Sequence, residues 1–243
     1  MKTTPRITVS YAQSLDGRIA TSTGDSRWIS CPRTLTLAHR LRRDHEVILV
    51  GIGTVLRDDP ELSCRLKGRN RSPVRVILDS HLRLPPESKI LRTAGTYRTI
   101  VYTLETSIHR EAPDAAVVDI MTGSAAADAA AGRARLEQAG IEIREVEADS
   151  RGRVSVSGVV EDLAHRGFRS IFVEGGAQVI TSFLRSGLVH RMVVVTAPVI
   201  IGRGVEAIGE LGITELSRAL RPRRTRVRRL GTDRVWELEF DGG

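Results

Sequence analysis

β-branched apolar stretches alternate with helix-forming ones from one end of this 243-residue chain to the other. That alternation limits the fold more than any single motif does. Strands recurring between helical segments build a largely parallel sheet covered by helices, an α/β arrangement. Residues 7–12 predict a first strand, and 14–30 a polar, glycine-bearing loop. Pro32 sits where a helix can begin, because its missing N–H costs nothing there. Leu35, Leu37, Ala38 and Leu41 then give that helix an approximate apolar stripe. Residues 46–51, 74–79 and 99–102 predict buried-type strands. The alanine-rich stretch 125–136 predicts a helix ended by Gly140, with a strand at 141–146. A helix around 159–165, a strand at 170–174 and a helix from Ala177 to Arg185 follow. Residues 191–197 form a further strand. The tail, 227–240, predicts two short strands around Gly231, Thr232 and Asp233. No repeat interrupts this order, so residues 1–243 are expected to form one domain.

Charge narrows the partners. The net charge is +8, and three of the 37 basic residues are lysines. A basic surface attracts either nucleic acid or small anions. Aromatic residues are only 4% of the chain, too few for a base-stacking platform. The dense run from Arg221 to Arg229 is expected to be a solvated strand face, so no nucleic-acid partner is expected. Neither a run of about eighteen apolar residues nor the apolar core of a signal peptide is present. A cytoplasmic protein without a membrane partner is expected. Cys31 and Cys64 form no CxxC pair, and the histidines lack metal-ligand spacing, so neither a disulfide nor a metal is expected.

Two glycine-bearing turns carry the chemistry. Glu174-Gly175-Gly176 stands between a buried-type strand and a helix. Glycine permits close approach of a ligand, and a helix N-terminus offers free N–H groups to phosphate. The pattern is not GxGxxG, so the usual dinucleotide fingerprint is absent. Glu174 itself ends a strand, where α/β sheets line their ligand crevices. The second turn is Gly51-Ile52-Gly53-Thr54, followed by Asp58-Asp59-Pro60. The paired aspartates can polarise a substrate or simply close a helix before Pro60. Arg42 and Arg65 flank this region, and guanidinium forks bind phosphate.

Seven blocks in order then resemble a known family: 14–20, 24–30, 51–62, 73–80, 173–176, 187–189 and 197–198. Together they are similar to the reductase domain of the bifunctional riboflavin-biosynthesis deaminase/reductase, and closer still to stand-alone diaminopyrimidine reductases. The resemblance covers residues 7–240. No zinc-deaminase signature precedes it, so the reductase alone is expected. The resemblance implies a dihydrofolate-reductase-like fold, a largely parallel mixed sheet flanked by helices, usually as a homodimer. It implies reduction of a phosphorylated ribosylaminopyrimidine by NADPH, with NADH as the other possible reductant. Ala12, Trp28, Thr54, Asp58 and Ser80 would lie against the cofactor. The turn Gly175, Gly176, Ala177, Gln178, Val179, Ile180, Thr181 and Ser182 would hold its phosphates. Ser26, Arg42, Leu62, Arg65 and Glu174 would contact substrate, with Arg42 and Arg65 on the 5′-phosphate. Asp58 or Glu174 would move the proton for ring opening.

Two departures stand out. Ser10 replaces the lysine usual in the bifunctional enzymes. His190-Arg191 replaces an acidic pair, which bears on the dimer surface. The competing readings are a superfamily relative reducing another heterocycle, such as a pterin or a specialised-metabolite precursor, and a non-catalytic basic protein that binds nucleic acid or other anions.

Overall fold

The computed structural model describes residues 4–66, 72–105 and 122–241, with side chains in the last segment from residue 129 onward. Its main sheet has nine strands among the described residues: β1 (Arg6–Gln13), β3 (Val47–Gly51), β4 (Val74–Leu78), β5 (Thr99–Leu104), β6 (Glu142–Val146), β7 (Ser170–Glu174), β8 (Arg191–Thr196), β10 (Arg224–Leu230) and β11 (Asp233–Glu239). They lie in the order β10-β11-β8-β1-β7-β3-β4-β5-β6. From β8 to β6 every pairing is parallel. Only the C-terminal hairpin runs antiparallel. This is the largely parallel mixed sheet that the alternating sequence predicts.

The helices are α1 (Pro32–Asp44), α2 (Ile52–Asp58), α3 (Lys89–Arg92), α4 (Thr122–Gln138), α5 (Val156–His165) and α6 (Ala177–Arg185). Strand side chains alternate between two cores, because successive residues point to opposite faces. Val47 and Leu49 pack with Val159 and Leu163 of α5 and Ile180 and Phe183 of α6. Ile48 and Val50 pack on the other face with Leu41 of α1, Val55 of α2, Ile90 of α3 and Leu136 of α4. The sheet is therefore the middle of three layers. Each fully buried Val, Leu or Ile contributes roughly 1.5–3 kcal/mol.

One charged side chain sits wholly inside. Arg75 of β4 has no exposed surface. Its Nε donates to Thr99 Oγ1, Nη1 to Thr93 Oγ1 and the Glu61 carbonyl, and Nη2 to the carbonyls of Ile90 and Tyr97. Burial pulls its guanidinium down to about 10. Arg75 thus ties α3, the segment after it and the one after α2 to the sheet.

The structure adds elements that the sequence pattern does not show. The expected loop 14–30 contains β2 (Arg18–Thr21), which pairs with β9 (Gly204–Glu206). The carbonyl of Ala20 comes so close to Gly204 that a β-carbon there would stand 2.3 Å from it. Neither strand carries a strong alternating pattern, so the pairing rests on long-range contacts. Asp16 fixes the same region by accepting from the N–H groups of Ile201 and Gly202. Together with the Ser14 hydroxyl, these bonds hold its carboxyl at about 2.

The C-terminal hairpin is longer than expected, starting at Arg224 and turning at Gly231 and Thr232. Much of its arginine run is solvent-exposed, as a solvated strand face requires. Arg228 and Arg191 both bind Glu237, at 3.1 and 2.7 Å. The unusual Arg191 therefore has its own carboxylate on the neighbouring strand. No helix among the described residues is long and apolar enough to cross a membrane.

Candidate active site

The central parallel strands all end on one edge of the sheet, and the predicted residues collect there. Ser10 of β1 lies opposite Glu174 of β7 and Val193 of β8. β7 in turn pairs with β3, whose last residue is Gly51. Two strand-turn-helix units thus stand side by side, one entering α2 and the other α6.

Their turns touch. Gly176 has φ +82°, and a β-carbon on it would lie 3.2 Å from Thr54 Oγ1 and 3.9 Å from Val179 Cγ2. A β-carbon on Gly51 would meet Val179 Cγ2 at 2.8 Å. Glycine is required at both positions, at Gly176 by backbone conformation and at Gly51 by space.

A cavity of about 330 Å³ lies on the α1 and α2 side of this junction. It brings together Ala12, Trp28, Thr54, Asp58, Gly175 and Gly176 of the expected cofactor set, and Ser26, Arg42, Leu62 and Glu174 of the expected substrate set. A second cavity, of about 180 Å³, lies on the α5 and α6 side and takes in Ser80, Gln178, Val179 and Ser182. Ala177 begins α6 between the two.

Three expected residues are placed differently. Ile180 is fully buried in the core. Thr181 is buried, donating to the Ala177 carbonyl and accepting from the N–H of Gly209. Neither offers its side chain to a ligand in this arrangement. They fall on the inward stripe of α6, at a helical spacing from Ala177 that turns them toward the sheet. Arg65 is exposed and lies outside the lining of the large cavity.

Arg42 is not a free guanidinium. Its Nε donates to Glu174 Oε2 at 2.7 Å and its Nη2 to Oε1 at 2.6 Å. Its Nη1 donates to the Ser63 carbonyl at 3.0 Å. Arg42 therefore orients Glu174 in this structure rather than presenting an open fork to a phosphate. The pair is largely enclosed, with 12% and 24% of the two side chains exposed.

The loop after α2 is held from both sides. Asp59 and Leu62 have φ of +40° and +58°, unusual for non-glycine residues. Arg75 binds the carbonyl of Glu61, and Arg42 that of Ser63, on either side of Leu62. Asp59 closes α2, its N–H donating to the Val55 carbonyl, while its Oδ1 accepts from the N–H of Lys89. Of the two aspartates, Asp59 shapes the turn and Asp58 faces the cavity.

The site also contains residues that the sequence reading did not single out. Tyr11 lines the cavity, and burial pushes its phenol up to about 12, so it remains a neutral hydrogen-bond donor at physiological pH. Leu35, Leu37 and Ala38 line it too. Within that apolar stripe Leu41 is the buried member, and Leu37 also packs against the core. The same periodicity serves a core or a ligand cavity, so pattern alone does not separate the two. His39, one residue on, is pushed down by burial and by the nearby Arg42 and Arg65 guanidiniums. Its Nδ1 accepts from the Arg65 N–H at 3.3 Å.

A three-layer α/β sheet with a ligand cleft over the carboxyl ends of its central strands defines a small-molecule-binding α/β domain. The chain belongs to the RibD C-terminal domain family, whose model matches residues 5–236. Among the curated relatives, the riboflavin biosynthesis protein RibD of Aquifex aeolicus is 34% identical over 231 residues, which are 95% of this chain and 56% of that one. The 2,5-diamino-6-ribosylamino-4(3H)-pyrimidinone 5′-phosphate reductase of Methanothermobacter thermautotrophicus is 34% identical over 243 residues, 98% of this chain and 99% of that one. The chain spans about half the length of the RibD proteins it matches. A similar solved structure is a deaminase/reductase from Thermotoga maritima, at 27% identity and a TM-score of 0.70, covering 97% of this chain and 56% of the other.

Proposed function

We propose that this domain is an NADPH-dependent reductase that converts the ribosylamino side chain of a diaminopyrimidine 5′-phosphate to ribitylamino. The observation that carries the reading is the contact between the Gly176 and Thr54 turns, with a cavity on either side of it. A dinucleotide laid across that junction would reach both cavities. Gly176 leaves open the space a β-carbon would fill, and the free N–H groups at the start of α6 suit a pyrophosphate. When bound, the cofactor supplies the hydride. A relative that this chain matches over 98% of its length carries the name of this reductase, which supports the substrate class.

The protein's own part is positioning and proton movement. Ring opening of the ribosylamine shifts a proton from the exocyclic nitrogen to the ring oxygen and leaves a C=N bond at the sugar carbon. Asp58 and Glu174, both lining the large cavity, are the carboxylates placed to carry that proton. Arg42 fixes the Glu174 rotamer through its fork. Leu62 and Phe172, both buried, give the cavity an apolar wall beside these groups.

The deciding experiment is oxidation of NADPH in the presence of the ribosylaminopyrimidine phosphate, before and after its deamination, with dihydrofolate as the competing substrate. Turnover with the diamino compound supports the reading, and turnover with dihydrofolate alone would replace it. We also infer a homodimer. The edge hairpin sets Val227 directly opposite Trp236, and they remain 45% and 40% exposed, with Leu216 and Leu220 also exposed nearby in sequence. Light scattering at the monomer mass would remove that part.

A further inference from the structure

The helix that walls one side of the large cavity has no capping group of its own. The N-cap of α1 is Cys31, whose side chain makes no capping bond, and the first turn of α1 carries no acidic residue. A helix start is often secured by an acid three residues after the N-cap, which reaches back to the N-cap N–H. Here that position is Thr34, and the acid comes from the far end of the chain. Asp233, the first residue of β11, is buried. Its Oδ2 accepts from the Cys31 N–H at 2.8 Å and from the Thr34 hydroxyl at 3.0 Å, across 202 and 199 residues. Its Oδ1 accepts from the Thr232 hydroxyl at 3.0 Å. These partners are an N–H and two hydroxyls rather than a cation, and the positive end of α1 favours the negative charge.

The hairpin turn grips the same helix start through a second contact. Cys31 Sγ donates to the Leu230 carbonyl at 3.2 Å, and a β-carbon on Gly231 would stand 2.9 Å from that sulfur. The other end of α1 is anchored separately. Leu41 is buried, and Arg42 is bound to Glu174 and to the Ser63 carbonyl. Thr34, Leu35 and Ala38, on the end that Asp233 holds, line the large cavity. Asp233 also settles what Thr34 can offer a ligand. A hydroxyl has one proton and a carboxylate only accepts, so the Thr34 proton is committed and its oxygen keeps only lone pairs.

We infer, resting on the reductase reading proposed above, that Asp233 is a positioning residue for the substrate: it caps α1 from across the fold and holds Thr34 as an acceptor for a substrate N–H or O–H. Because Arg42 and Glu174 are fixed independently, loss of Asp233 should loosen substrate binding more than it slows turnover.

The experiment is steady-state kinetics of the full chain with NADPH and the ribosylaminopyrimidine phosphate, for the native protein, Asp233→Ala, Asp233→Asn and Thr34→Val, with a fluorescence titration of NADPH for each. Asp233→Ala and Thr34→Val should raise the substrate KM by about tenfold and leave kcat within about threefold. NADPH affinity should stay within about twofold, since the Gly176 and Thr54 turns belong to other elements. Asp233→Asn keeps an oxygen able to accept from both Cys31 and Thr34, so its KM should remain within about threefold of the native value. Thr34→Val leaves the bond to the Cys31 N–H in place, so it reads the hydroxyl alone where Asp233→Ala unfolds. An unchanged KM in Thr34→Val, or a loss in Asp233→Asn equal to that in Asp233→Ala, would overturn the inference and leave the reductase reading standing. Absence of turnover in the native protein would overturn the two together.

Discussion

Arg42 and Glu174 meet fork to fork, Nε to Oε2 at 2.7 Å and Nη2 to Oε1 at 2.6 Å, across a sequence separation of 132 residues. The pair joins α1 to the end of β7, and the third donor of Arg42 holds the Ser63 carbonyl. Arg42→Lys keeps the charge but cannot reproduce two parallel bonds together with the third. Turnover should fall roughly tenfold to a hundredfold, as misplacing a positioned group does, with a smaller change in substrate KM. Arg42→Ala should also cost about 2 kcal/mol of stability, below the usual penalty for breaking a buried pair because Glu174 is partly exposed. Steady-state kinetics and urea unfolding of both variants check this. A KM effect alone would return Arg42 to the role of phosphate ligand.

Gly176→Ala tests the junction itself. The substitution forces a side chain onto φ +82° and brings its β-carbon to 3.2 Å from Thr54 Oγ1. The backbone conformation costs about 1–3 kcal/mol, and the added methyl enters the space assigned to the dinucleotide. Loss of NADPH affinity should exceed loss of stability. Adding Thr54→Ala relieves the contact but not the backbone strain, so the double variant should recover only part of the affinity. Full recovery would mean that the positive φ is unimportant.

The sequence exposed the scaffold better than the cleft, for a physical reason. Buried strands such as Val47–Gly51 and Ser170–Glu174 announce themselves because burial on both faces demands apolar side chains at nearly every position. The glycine turns were legible because only glycine serves there. The β2 and β9 pairing was not, since it depends on Asp16 binding residues about 185 positions away. Nor was the role of Leu35 and Ala38, whose helical periodicity is the same whether they face a core or a cavity. The mutual neutralisation of Arg42 and Glu174 was hidden as well. Sequence marks each as chemically useful but does not show that they spend their hydrogen bonds on each other.

Arg75→Met should be among the most damaging single changes outside the cleft. It retains much of the apolar volume but strands the carbonyls of Glu61 and Ile90 in or near the core, while the Thr93 and Thr99 hydroxyls keep the Lys89 and Tyr97 carbonyls as acceptors. Each buried group left without a partner costs about 1–3 kcal/mol, so the total should reach on the order of 3 kcal/mol or more. Urea unfolding measures it. Because Glu61 leads into Leu62, the surviving folded fraction should also bind substrate more weakly.

Stability should fall on mild acidification through His45 and His39. Burial lowers both imidazoles below the ordinary 6.5. In His45 the Nδ1–H donates to the Leu41 carbonyl at 2.7 Å, leaving Nε2 to accept from the Thr8 hydroxyl at 2.9 Å, an arrangement of the neutral ring. The folded state therefore takes up protons less readily than the unfolded one. Its full stability is present above pH 6.5 and is lost progressively as pH falls below that value toward the lowered folded-state pKa. Unfolding free energies across this window should slope upward with pH, and His45→Gln should flatten the slope. An unchanged slope in the variant would remove His45 from the effect.

Asp58→Asn separates chemistry from binding. Asp58 ends α2, lines the large cavity, and uses its backbone carbonyl, not its carboxylate, to accept from Arg27 Nη2 at 3.3 Å. The amide keeps the shape and loses the ability to take a proton. If the carboxylate carries the ring-opening proton, turnover should drop by roughly a hundredfold or more, while NADPH affinity changes far less. The test is single-turnover oxidation of bound NADPH alongside direct titration of the dinucleotide. Equal turnover in the variant would leave Glu174 as the one proton carrier in the cleft. A matched loss in both measurements would instead make Asp58 a cofactor contact.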